Sequence, residues 1–111
     1  MEITTTESIP GRRITAVKGV ALGSTVRSKN VGKDIGAGLK SLVGGELKSY
    51  SDMLTEARSE ALSRMETHAA ALGADSVVNL RFMTSAVAAG ASEILAYATA
   101  VTTERIVADR A

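Results

Sequence analysis

Cysteine and tryptophan are absent from this 111-residue chain, proline occurs once, and only Tyr50, Phe82 and Tyr97 are aromatic. Without cysteine there are no disulfide staples, thiolate metal sites or thiol nucleophiles, so the fold must stand on packing. With so few aromatics the apolar content falls to Ala, Val, Leu, Ile and Met. Burying an alanine methyl contributes only about 0.8 kcal/mol, and an aromatic ring several times more. A core of such small groups is modest and gains from further burial between subunits. Nor does one sign of charge dominate: 13 basic against 12 acidic residues leave a formal charge of +1. A nucleic-acid binder needs a basic stripe to displace counterions from phosphate. Arg12-Arg13 is too little, and Lys33, Lys40 and Lys48 are interspersed with Asp34 and Glu46, so no nucleic-acid partner is expected. No apolar run approaches the ~20 residues that cross a bilayer, and residues 1–6 lack the basic and apolar regions of a signal peptide. A cytoplasmic location without a membrane partner is therefore the expectation.

What is present fits a single α+β domain over residues 1–111. Residues 2–6 are β-prone, Pro10-Gly11 is a turn signal, and a β-branched run follows, which predicts an N-terminal hairpin. Gly19, Ala21 and Gly23 share one face of that run, pointing to a bulge or to close approach of another backbone. Val31, Ile35, Leu39 and Leu42 are spaced for a short amphipathic helix, ended by Gly44-Gly45. From Ser49 to Leu72 the i, i+3, i+4 pattern of Met53, Leu54, Ala57, Ala61, Leu62, Met65, Ala69 and Leu72 predicts a long helix. Ser49 is its expected N-cap, Glu60 and Arg64 an i,i+4 pair, and Gly73 its left-handed C-cap.

Residues 76–83 alternate as a half-buried strand with Val78, Leu80 and Phe82 on one face. A connection over 85–92 leads to a second strand over 93–103, and the two are expected to pair as a hairpin. In the last strand Ile94, Ala96, Ala98 and Ala100 share one face, and Leu95, Tyr97, Thr99 and Val101 the other. Both faces are largely apolar. One helix cannot cover both sides of a small sheet, so the surplus face is assigned to another subunit, with the 30–42 helix as the alternative cover.

The words Gly44-Gly45, Tyr50, Ala57-Arg58, Ala61, the run ALGADSVV over 71–78 and Thr99-Ala100-Val101, with Thr4-Thr5, Gly11, Gly23, Asn30 and Asp34, resemble the YbjQ-like family over nearly the whole chain. The resemblance implies a β-α-β-β subunit, a small antiparallel sheet packed on one long helix in a dodecin-like arrangement. It also implies assembly into a ring, as a pentamer or decamer, and a family label of heavy-metal binding without an established activity. The chain departs from the family pattern at Ser24, where an acidic residue is usual, and at Ala98, where glycine is usual.

Soft metal ions require thiolate or imidazole, and His68 is the one histidine. His68 borders the apolar stripe of the helix and reads as a boundary or surface residue. In a ring each axial residue is repeated once per subunit, so Asp34 and Glu46, both in the Gly-rich segment, are the candidate ligands for a divalent cation. The family signature includes Arg58 and Asp75, read as anchors: Asp75 bonding turn amides, Arg58 in an inter-subunit ion pair. Tyr50, Phe82 and Tyr97 are assigned to core or interface, and Gly44 and Gly45 to structure. The Gly-rich stretch 32–45 matches neither G-x-x-x-x-G-K-[ST] nor G-x-G-x-x-G. Three readings follow: a homo-oligomeric binding or structural protein without a catalytic motif, a cation binder using axial carboxylates, and an enzyme with a site between subunits.

Overall fold

A computed structural model of the chain describes residues 1–28 and 45–107, with helix side chains from residue 50 onward. Among the described residues the elements run β1 (Glu2–Ile3), β2 (Arg12–Ser28), α1 (Gly45–Ala71), β3 (Ser76–Ala88) and β4 (Ala91–Arg105). The strands form one sheet in the order β1-β3-β4-β2. The α+β class holds, while the β-α-β-β order and the all-antiparallel sheet do not. Two strands precede α1, and β1 pairs in parallel with β3 through Glu2↔Ser76 and Ile3↔Val77.

The expected N-terminal hairpin is absent for a physical reason. Pro10-Gly11 does turn, with the Arg12 N–H donating to Ile9 C=O at 3.1 Å and Gly11 at φ +79°. That turn feeds β2, while residues 4–6 run on along β3: the Thr4 N–H donates to Val77 C=O, and Leu80 and Asn79 donate to the carbonyls of Thr4 and Thr6. Two strand residues are held by those distant groups and carry no local signal of their partner.

The helix begins at Gly45, four residues before the predicted cap, so Ser49 lies inside it and Gly45 is its first residue rather than a break. Glu46, Leu47 and Lys48 are all good helix formers, and they continue the helix back to the glycine pair. Its C-terminus ends as expected. Gly73 sits at φ +88°, its N–H donates to Ala70 C=O, and the Ala74 N–H reaches Ala69 C=O at 3.1 Å, the two bonds of a Schellman cap. The predicted 30–42 helix and Gly44 lie outside the described residues.

In β3 and β4 the strands are longer than the alternation suggested. Residues 85–92 are strand on both sides of a two-residue turn at Ala89-Gly90, Gly90 at φ +74°, with Ala88 opposite Ala91. A second correction concerns facing. Asn79 adopts φ +56° within a register shift between Val78 and Arg81. That bulge changes the parity, so Val77 and Leu80 enter the main core while Val78 joins Ile9 and Val101 on the opposite side.

The main core is built of small residues. Ala57, Ala61, Met65 and Ala69 of α1 meet Ala21 of β2 and Ile94, Ala96, Ala98 and Ala100 of β4. Gly23 permits this: a Cβ there would overlap the backbone of Met65 and Ala61. Both readings of the small face hold, since Gly19 also follows a bulge at Val17/Gly19.

Candidate functional site

The side of the sheet away from α1 carries the large exposed side chains of β2. Register places Val17, Val20, Leu22 and Val26 of β2 opposite Val101, Thr99, Tyr97 and Glu93 of β4, and Met83 of β3 opposite Leu95. Val17, Val20, Val26 and Met83 are each more than half exposed, and Leu22 and Tyr97 are 47 % and 36 % exposed. Among the described residues only the end of this face is covered, where Ile9 packs on Val78 and Val101. The surplus apolar face read from β4 is therefore present, and it extends over three strands.

Its rim is made by α1 along the outer edge of β2. The Leu22 N–H donates to His68 Nδ1 at 2.9 Å, and Arg64 donates to Ser24 C=O at 2.6 Å. Glu60 bridges Arg64 and Arg27, and Thr25, 2 % exposed, donates to Ala57 C=O. The predicted Glu60–Arg64 pair is present, but its working partner is the strand. His68 is half-buried and accepts a backbone N–H, so the boundary reading is right and its role as an edge cap was missed. One signal could have found it: His68 and Arg64 sit one turn apart beside the apolar stripe, facing the strand that carries the small residues.

At the other end, Asp75 ties β3 to β4. Its carboxylate accepts the Thr103 N–H and hydroxyl, both at 3.0 Å, while Arg12 donates to the same hydroxyl oxygen at 2.6 Å. The Thr103 N–H holds the Asp75 carboxyl below the usual carboxylate range, with slight burial opposing and Ser76, the Thr103 hydroxyl and Arg12 assisting. Asp75 thus bonds a neighbouring strand rather than the amides of its own turn. Arg58 is exposed and donates to Thr55 Oγ1 within its own helix. Tyr50 is half-buried on α1. Tyr97 lies on the apolar face, between Leu22 and Arg81 in the register. Asp34 and the Glu46 side chain, the candidate cation ligands, lie outside the described residues.

A family model described as "Putative heavy-metal-binding" matches residues 1–104. The chain belongs to the YbjQ family. Relatives named "UPF0145 protein" include one from Archaeoglobus fulgidus, 60 % identical over 99 residues and covering 89 % of this chain and 92 % of its own length. Another from Vibrio campbellii is 56 % identical over 101 residues, covering 91 % and 97 %. A third from Thermotoga petrophila is 54 % identical over 106 residues, covering 96 % and 100 %. A crystal structure of a protein of unknown function from Pediococcus pentosaceus, of the DUF74 family, superposes with a TM-score of 0.64 at 18 % identity, over 94 % of this chain and 98 % of that one. That likeness is one of fold.

The residues of one YbjQ chain fit a soft-metal site poorly. There is no cysteine, and the Nδ1 of the one histidine is occupied by the Leu22 N–H. Among the described residues no three His, Asp or Glu side chains gather closely enough to hold an ion. No helix among them is long and apolar enough to cross a membrane.

Proposed function

We propose that this YbjQ chain is one subunit of a homo-oligomeric binding or structural protein, a ring of five or a paired ring of ten, whose subunits cover one another's apolar sheet faces. The observation that carries this reading is the face formed by Val17, Val20, Leu22, Val26, Met83 and Tyr97, large apolar side chains each at least 36 % exposed on one side of the sheet, the kind of surface that marks an interaction site. Shape supports it. The radius of gyration is 18.7 Å, with extents of 70 × 25 × 16 Å, against about 13 Å for a compact domain of this length. The chain exposes 7133 Å², about 1,300 Å² more than the ~5,800 Å² expected of a compact monomer of its mass. That surplus is of the size that subunits bury against each other. The subunit number comes from the family resemblance. Sedimentation and native mass spectrometry at micromolar concentration test the reading. A mass of several multiples of 11.5 kDa is expected, and a compact single-chain species would overturn it.

The family description favours a second reading, in which the assembly holds a divalent cation. Asp34 and Glu46, repeated around a symmetry axis, are the ligands it would use, since clustered carboxylates suit hard cations. Calorimetric titration with divalent ions is expected to give heats that vanish in an Asp34→Ala, Glu46→Ala variant. Unchanged heats would remove these two residues from the site.

A further inference from the structure

The sheet has two outer edges, and the chain treats them differently. On β2 the edge is defended: His68 takes the Leu22 N–H, Arg64 takes the Ser24 carbonyl, and register shifts between Ile14 and Ala16 and between Val17 and Gly19 kink the rest. Arg12, Arg13, Lys18 and Arg27 add charge along the same strand. These are the devices by which natural sheets refuse further strands. On β3 the described residues cover the edge only at its start, where Thr4 and Thr6 bond Val77, Asn79 and Leu80. From Arg81 to Ala88 no backbone bond from a described residue reaches the side away from β4, although the Arg81 guanidinium donates to Thr5 C=O at 2.9 Å.

Within that stretch, Arg81 to Ala86 is an unbroken run between the bulge at Asn79 and the shift before Ala88. It contains no proline, and no charge after Arg81. Backbone alternation fixes which groups are open. The Leu80 N–H points outward to Thr4, so Phe82, Thr84 and Ala86 present the following outward pairs of N–H and C=O groups.

We infer that this edge is a strand-addition site, and that its occupant is the same strand of a second copy, antiparallel about a twofold axis near Thr84 and Ser85. The inference rests on the paired-ring form of the oligomeric reading above and specifies the contact between its two rings, because a twofold axis has no place within a single ring of five. Three observations select a second copy. The run from Phe82 onward is uncharged, so twofold pairing sets no like charges opposite one another. A neighbour's β2 edge is capped and bulged, which leaves β3 as the flat edge able to receive β3. Phe82, Met83 and Val87, 43 %, 57 % and 53 % exposed, flank the line that such pairing would cover, within the surplus surface already noted. Main-chain bonds would supply affinity and these side chains specificity.

Thr84→Pro tests the contact, because it removes an outward N–H and spares the bonds to β4. The variant is expected to keep its circular dichroism while its sedimenting mass falls to half or less of the parent assembly. Amide exchange on the unaltered protein is the second measurement, independent of whether the proline variant folds. The Phe82, Thr84 and Ala86 amides should be protected at high protein concentration and lose that protection on dilution. An intact oligomer with those three amides unprotected, or with a folded Thr84→Pro variant of undiminished mass, overturns the edge contact and leaves the oligomer standing. A monomeric parent overturns both. Protection that persists in a diluted monomer would assign the edge to this chain's own residues and also defeats the proposal.

Discussion

Along β2 the two faces of the sheet invert the usual assignment of size to burial. Toward α1 lie Ala21, Gly23, Ala96, Ala98 and Ala100, nearly all shut away from solvent, while Val17, Val20, Leu22 and Val26 stand on the open side. The small face lets helix and strand backbones almost touch, which fixes geometry closely but buries little apolar area per residue. The large face holds the area. A chain arranged this way has its tight internal fit on one side and exposed apolar surface on the other, and that surface is the driving force available to the association proposed above.

The largest effect is expected of Gly23→Val. The added atoms would meet the backbone of Met65 and Ala61, which cannot swing aside as a side chain can, and overpacking of this kind costs about 3 kcal/mol or more. Urea denaturation should show the loss, and a midpoint unchanged from the parent would mean that helix and strand do not approach as described. Next in size is the open face. Val20→Ser with Leu22→Ser should leave helix content intact but weaken association by tenfold or more, each factor of ten being about 1.4 kcal/mol. Sedimentation over a dilution series reads this, and an unaltered dissociation profile would show that the face is not a contact.

The smallest effect is expected at Asp75. Its carboxyl titrates below the ordinary value in the fold, so its contribution is present above the unfolded value of 3.8 and is lost as pH falls through the lower folded value. Because the group is exposed, solvent screening keeps this below about 1 kcal/mol. Asp75→Asn should therefore lose a little stability at pH 7 and show a shallower decline below pH 4 than the parent. Parallel curves for the two proteins would exclude the linkage.

Much of this architecture was readable because local periods persist. The 3.6-residue rhythm of Met53 to Leu72 located α1, Gly73 marked its end, and the two-residue rhythm of Ile94 to Val101 located both faces of β4. The small residues of β2 announced the close approach that Gly23 makes. What escaped depends on contacts distant in sequence or on a single dihedral angle. The two residues of β1 are held to β3 by partners more than seventy positions away. Asn79 moves Val78 to the far side of the sheet, and asparagine's tolerance of positive φ was the one available hint. Edge capping by His68 and Arg64 escaped because their partners on the strand are backbone groups, the Leu22 N–H and the Ser24 C=O, which no residue pattern encodes. Of the candidate site, Tyr97 and the surplus face were legible in the alternation, whereas the reach of that face across β2 and β3 required the strand order.

The histidine and arginine seated against β2 have a consequence for how far such molecules can polymerise. A ribbon open on both margins can recruit copies without limit, and fibrils grow in that way. With one margin stoppered by its own helix, each molecule can accept at most one neighbour along the hydrogen-bonding direction. Pairing of the open margin with its like would therefore terminate growth along that axis at two.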